Sequence, residues 1–455
     1  MANQSLLTYN SKVVQVAEQY YAPVAALPPY YNIPLSTTYA FIARTDPWAD
    51  ENNPPTPTQD TKYIKNVYKN IFAVKLFTSN DISPVVQRID WEPNSVYDPY
   101  RDDVDMFQTD SNGFLVYNFY VKNRYDQVFK CLWNGGGVQS VYEPYFQPGS
   151  YTTNNLYIGG DGYKWKYLYT IDTGSKVKFM DTTWMPVPLA PLAEDPLQSA
   201  AGVGSIDVIN VTNTGSGYDP ANAAIVVTVT GDGTGATGTA VINNGTVTDV
   251  LVTNPGQNYT YANVSISSTI GSGAQAIAPT SPIFGHGWDP TIDLAPSHVM
   301  YSMEFDGSEG GNIPTNIEYR QFGIIINPSS YDTNPYPANS AVYKTTTDFI
   351  VAPGFGSFTN DEVIYQGSSL ATATFTATVL SFNQATNVVN LINITGTPTI
   401  NGSVFGNSSK TTRTLLSYST PKFVLFTGFM AYIENRVGIN RSADGIEQFK
   451  VVLGY

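Results

Sequence analysis

The residues with catalytic or metal-binding potential are few, and their spacing limits what they can do. His286 and His298, twelve positions apart, are the only histidines in a chain of 455 residues. Two such rings supply neither a three-histidine zinc site nor the paired histidines of an HExxH helix. Neither stands in a Gly-x-Ser-x-Gly elbow or beside another nucleophile motif, so both read as structural. The cluster Asp102-Asp103-Val104-Asp105, the pair Glu194-Asp195 and the separate Glu143 are the carboxylates that could cleave a glycosidic bond or hold Ca²⁺. Both chemistries need a through-space separation that spacing along the chain does not supply, and a solvated loop is the simpler expectation. Gly231-Asp-Gly-Thr-Gly235 has the glycines of a phosphate loop. It lacks the following Lys-Ser/Thr and any strand-to-helix switch, which makes it a β-turn. Cys131, the only cysteine, needs a neighbouring histidine to act as a nucleophile, and Phe129, Leu132 and Trp133 around it point to burial. No catalytic, cofactor-binding or metal-binding residue is assigned, and no catalysis is expected.

The elements that carry these residues follow from composition. Only 13% of residues are charged, against 32 Tyr, 22 Phe, 37 Gly and 30 Pro. A chain so poor in charge has little material for solvated helix faces, so strands, turns and aromatic contacts dominate and the fold class is mainly β. The net charge of −14 opposes binding to a phosphate backbone, so no nucleic-acid partner is expected. The first twenty residues lack the basic start and apolar run of a signal peptide, and no apolar stretch is long enough to span a bilayer, so no membrane insertion is expected. A single cysteine fits manufacture in a reducing cytoplasm. Abundant tyrosine suits either sugar stacking or a permanent protein interface, which composition does not separate.

Two stretches differ from their surroundings. From Gly202 to Pro279 the chain turns to Gly, Thr, Val, Ala and Asn, and Val211-Thr-Asn-Thr-Gly-Ser-Gly-Tyr218 is echoed by Val252-Thr-Asn-Pro-Gly-Gln-Asn-Tyr259. Gly233-Thr-Gly-Ala236 is likewise echoed by Gly271-Ser-Gly-Ala274. This is a duplicated unit of short strands, with Ile225, Val227 and Val229 on one face and Asn243-Asn-Gly245 as a hairpin turn. From Ala352 to Arg413 the chain is again β-branched, Thr372 to Val379 alternates, and the phrases Val363-Ile-Tyr-Gln-Gly-Ser-Ser369 and Val404-Phe-Gly-Asn-Ser-Ser409 are similar, as in a small closed sheet or barrel. Treating both as insertions gives a layered β-sandwich parent fold in three parts, 1–200, 283–350 and 415–455, carrying modules at 201–282 and 351–414. Helical spacing appears over Ser11 to Tyr21 and Thr61 to Phe72, and Phe423 to Phe426 and Phe449 to Leu453 read as core strands.

Several ordered phrases outside the two modules carry a resemblance. They are Phe41-Ile-Ala-Arg-Thr-Asp-Pro-Trp48 with Asn53-Pro-Pro-Thr-Pro-Thr58; Arg88-Ile-Asp-Trp91 with Tyr97-Asp-Pro-Tyr100; Gly160-Asp-Gly-Tyr-Lys-Trp-Lys-Tyr-Leu168; Arg320-Gln-Phe-Gly-Ile-Ile-Ile-Asn-Pro328; and Ile433-Glu-Asn-Arg436. In that order the chain resembles the baseplate wedge subunits of T-even-like contractile-tailed phages, the gene product eight family. The resemblance implies a layered β-sandwich, a homodimer, docking onto other baseplate wedge proteins, and a place in the tail baseplate of the virion. Trp48, Arg88, Asp90, Trp91, Tyr100, Tyr163, Trp165, Arg320 and Arg436 are the fold-defining or interface candidates. Trp48 is expected to fold back at a corner set by Pro47, and Tyr163, Trp165 and Tyr167 to share a strand face. Arg88, Asp90 and Arg436 are expected in buried or half-buried ion pairs. Two other readings compete: a receptor- or carbohydrate-binding tail protein using the inserted modules, and a glycosidase using Asp102, Asp105 or Glu143.

Overall fold

The computed structural model describes residues 4–7, 37–111, 113–147, 155–188, 202–282, 285–288, 290–331, 338 and 341–454. The fold is mainly β, with several sheets and one closed barrel. Contacts group the chain into two compact units, residues 1–82 with 301–453, and residues 83–300. The helix expected over Ser11 to Tyr21 lies outside the described residues.

The first unit is built on a six-stranded antiparallel sheet in the order Gln4–Leu7, Phe429–Arg441, Ile317–Ile326, Thr38–Ala43, Ile71–Leu76, Val342–Lys344. Its central strands are runs of apolar residues buried on both faces, as strands covered on both sides must be. One face packs Phe41, Val67, Tyr68, Ile325 and Ile433 together. On the sheet, Phe322 stacks at 4.1 Å on Phe449, which also meets Phe305. Helix α1, Thr61–Asn70, starts where Asp60 accepts the Tyr63 N–H at 2.8 Å, and buries Val67 and Tyr68. It ends two residues before the periodicity suggested, because Ile71 and Phe72 are claimed by the strand Ile71–Leu76, where both are buried. Phe449, Val451 and Leu453 are core residues as expected, but Phe426 is not. It has a positive φ of 64° and is half exposed, beyond a strand that covers only Phe423–Val424.

Within this unit, Thr347–Ser419 closes into a barrel of strands in the order Thr347–Val351, Val388–Gly396, Phe375–Asn383, Val363–Gln366, Ser403–Gly406, Thr412–Ser419. Phe349, Ile364, Val379, Leu391, Val404 and Leu415 fill it. The two similar phrases become neighbours, with Tyr365 opposite Phe405 and their rings stacked at 5.4 Å.

The second unit holds the four-stranded sheet Tyr120–Lys122, Gln127–Asn134, Tyr163–Thr170, Leu156–Ile158 and the duplicated module. The module's repeats interleave. Strand Asn210–Ser216, carrying the first Val-Thr-Asn phrase, pairs with Ser272–Ile277, carrying the second Gly-x-Gly-Ala phrase; Thr246–Gln257 pairs with Thr234–Asn243 in the same way. Tyr218 accepts the Ala274 N–H at 3.1 Å and Tyr259 the Ala236 N–H at 3.2 Å. The likeness extends back to Gly204 and Gly245, so that Ile206 and Ile209 match Val247 and Val250, all buried in one core. Asn244 and Gly245, with φ of 49° and 74°, form the two-residue turn between Asn243 and Thr246. Ile225, Val227 and Val229 face the core while Val226 faces out.

Candidate functional site

The strand Tyr163–Thr170 alternates aromatic residues with lysines, and each face has its own task. Tyr163, Trp165 and Tyr167 join Phe129 and Cys131 in an aromatic core, where Tyr163 stacks on Trp165 at 5.4 Å and Tyr97 meets Trp165 edge-on at 5.3 Å. The opposite face carries Lys164 and Lys166, with Lys130 directly across from Lys166 on the neighbouring strand. All three lysines are buried. Like charges opposed across a ladder repel, and a buried ammonium loses its hydration, so each needs its own carboxylate. Lys130 meets Asp293 at 3.0 Å, Lys164 meets Asp249 at 2.7 Å and Lys166 meets Asp207 at 3.4 Å. Asp207 and Asp249 belong to the duplicated module, so two of the three pairs tie that module to the sheet. Asn210 adds a bond to the Leu132 carbonyl at 3.0 Å, and Asp102 accepts both the N–H and the hydroxyl of Thr280 at 2.8 Å.

The Lys130 pair is the driest. Asp293 also accepts the Gly287 N–H at 2.7 Å and faces His286 Nδ1 at 3.1 Å, while the Lys130 ammonium lies 3.9 Å from the centroid of the Tyr100 ring. Burial alone would raise the Asp293 carboxyl, but the Lys130 charge, His286 and the Gly287 amide outweigh it and hold the group well below the usual carboxylate range. Burial, followed by the Lys130 charge, lowers His286, so the ring is neutral near pH 7 and its Nδ1 carries the hydrogen that the carboxylate accepts. Burial likewise pushes the Cys131 thiol well above its ordinary value, which suppresses the thiolate a nucleophile requires. The arrangement is suited to holding chain segments in place.

The sequence-nominated residues gather at one place in the first unit and at three in the second. In the first, Trp48 and Arg320 converge on Glu51, which accepts the Trp48 N–H at 2.9 Å, Arg320 Nε at 2.9 Å and the Gly438 N–H at 3.2 Å. Desolvation works to raise Glu51, but the bonds from Arg320, Gly438 and Trp48 prevail and lower it. The Trp48 indole folds back to the Arg436 carbonyl at 2.7 Å, and Arg436 pairs with Glu434 at 2.9 Å while covering Phe449. In the second unit, Trp91 donates to Ser140 at 3.0 Å beside the Tyr97, Tyr163 and Trp165 stack. Arg88 and Asp90 form a half-exposed pair at 2.7 Å, joined by buried Lys122 at 3.1 Å from Asp90. Tyr100 sits apart from that stack, against His286 and Lys130.

Each acidic candidate has a local duty. Asp102 holds Thr280, Asp103 pairs with Arg101 at the surface, Asp105 accepts the Phe107 N–H at 3.1 Å, and Glu143 pairs with Arg124. Glu194 and Asp195 lie outside the described residues. Among the described residues, no group of three or more His, Cys, Asp or Glu side chains is placed to hold a metal ion. The Gly231 to Gly235 segment joins two strands, with Asp232 accepting the Thr260 N–H at 2.9 Å. His298 is half buried, its ring 4.3 Å from that of Trp184. No described helix is long and apolar enough to cross a membrane.

Sequence reasoning missed Glu51 and the acid partners Asp207, Asp249 and Asp293, and it gave the lysines no role. The one available signal was the strict alternation in Tyr163-Lys-Trp-Lys-Tyr167: a strand with an aromatic core face has a second face that must meet either water or counter-charges. No family model matches the chain, and no curated protein does.

Proposed function

We propose that this chain is a structural subunit of a contractile phage tail baseplate, a wedge protein that acts by self-association and by docking to neighbouring wedge proteins. The reading rests on the ordered phrases that resemble the gene product eight family. One observation supports using them in this way: residues from separate phrases come together as internal scaffolding. Trp48, Arg320 and Arg436 come from three phrases far apart in sequence: Trp48 and Arg320 meet at Glu51, and the Trp48 indole donates to the Arg436 carbonyl. A fold shared with such a family would be held together by contacts of this kind. A subunit that transmits the force of sheath contraction needs broad obligate interfaces, of roughly 2,000–5,000 Å² in total. Low charge and abundant tyrosine serve that need, since such interfaces deplete charge and favour large side chains with a polar tip.

Quantitative mass spectrometry of purified, salt-washed tails tests the assignment. The expected result is a constant copy number that is a whole multiple of the wedge count. Absence from tails, or a variable amount removed by salt, rejects it and directs attention to glycan-binding assays on the inserted modules.

A further inference from the structure

We propose that the exposed face of helix α1 is a docking stripe for an acidic segment of a different protein, with Lys62, Lys65 and Lys69 as its cationic anchors. This goes beyond the assignment to a baseplate and does not depend on it. The three lysines recur at positions i, i+3 and i+7, which brings them to one side of the helix, opposite the buried Val67. Together with Asp60, Tyr63 and Asn66 they line a shallow groove. Lys62 and Lys65 are exposed and Lys69 is half buried.

Most cations elsewhere are met by carboxylates, as at Arg44, Lys75, Lys130 and Arg441, and Lys410 and Arg413 are held by backbone carbonyls. Lys62, Lys65 and Lys69 meet none within ion-pair distance among the described residues, and the one carboxylate in the groove, Asp60, is already engaged by Thr58 and the Tyr63 N–H. The placement also works against the helix itself. Lys62 stands in a first turn that has no acidic residue, where the helix dipole disfavours positive charge. Lys62 with Lys65 and Lys65 with Lys69 are like-charge neighbours at i,i+3 and i,i+4. Lys69, in the last turn, is favoured by the dipole, but three cations without a carboxylate among the described residues, two of them costing the helix, make sense when an external anion completes them.

Charge selects the occupant. A molecule of net charge −14 repels extended polyanions such as DNA and anionic membranes as a whole, whereas a short acidic segment held within a screening length of about 8–10 Å of the stripe meets chiefly its three lysines.

The test uses the full chain and a fluorescein-labelled oligoglutamate peptide, followed by anisotropy. Lys62→Gln/Lys65→Gln/Lys69→Gln is compared with a charge-matched control, Lys178→Gln/Lys410→Gln/Lys422→Gln, glutamine being a good helix former that keeps α1 intact. The expected result is salt-sensitive binding that the α1 variant weakens about tenfold, the product of three exposed ion pairs each worth roughly twofold, while the control leaves it unchanged. The melting temperature of the α1 variant should equal or exceed that of the parent. The proposal is overturned by absence of peptide binding or by equal effects of the two variants. It is also overturned by equal binding of duplex DNA or phosphatidylserine vesicles, by dissociation of a self-associated species in the α1 variant, or by a lowered melting temperature.

Discussion

At the scale of single residues, burial sets what the charged groups contribute. Lys130 and Asp293 are 0% and 1% exposed, so removing one partner strands the other without water. Lys130→Met should cost about 3–5 kcal/mol of stability, read from guanidinium unfolding followed by tryptophan fluorescence. Combined with Asp293→Asn, whose one carbonyl oxygen can still accept the Gly287 N–H, it should lose less than the sum of the single changes, with a coupling of about 1–3 kcal/mol. Strict additivity would mean that the pair does not interact. His286 adds a pH dependence. Its folded pKa is depressed by burial and by Lys130, so below the ordinary value of 6.5 the unfolded chain takes up a proton that the buried ring refuses. Stability is then fully present above that value and falls as the pH drops through it, by at most about 1.4 kcal/mol per pH unit for one proton. His298 shifts in the same direction, so the quantity to measure is the difference in slope between the parent and His286→Asn between pH 7.5 and 5. Equal slopes would show that His286 does not titrate on unfolding.

At the scale of elements, the duplicated module solves one geometric problem twice. Gly215 and Gly256 occupy equivalent places, with φ of 58° and 63°, and at each a Cβ would run into the backbone of the paired strand. Asn213 and Asn254 each cap the following glycine N–H at 3.0 Å. Gly215→Ala and Gly256→Ala should each destabilise by about 1–3 kcal/mol and by similar amounts, as judged by chemical denaturation. The position two residues later is Gly217 in one copy and Asn258 in the other, both left-handed, so Asn258→Gly should change stability by no more than a few tenths of a kcal/mol. A large loss there would show that the two halves are not structurally equivalent. Much of this module was legible in the sequence. The echoed phrases, the Asn-Gly turn and the alternation at Ile225, Val227 and Val229 are local signals, each fixed by backbone sterics or period-two burial. Which phrase pairs with which was not legible, because the first copy of one pairs with the second copy of the other across tens of residues.

At the scale of the whole molecule, a formal charge of −14 opposes a phosphate backbone, so a gel-shift assay at physiological salt should show no retained duplex DNA. The wedge assignment is likewise decided on the whole chain, by its copy number in washed tails. By itself the sequence determined the β-rich class, the two compositionally distinct modules, helix α1 to within two residues, the burial of Cys131 and the aromatic face of Tyr163, Trp165 and Tyr167. These follow from composition, periodicity and turn chemistry, which act over a few residues. The tertiary structure alone decided that Glu51 gathers Trp48 and Arg320, that Asp207, Asp249 and Asp293 neutralise three lysines facing away from the aromatic core, and that Lys62, Lys65 and Lys69 meet no carboxylate among the described residues. The reason is physical. A strand's alternation says which residues share a face, but the charge that face meets comes from chain segments up to 163 positions away, brought there only by the closing of the fold.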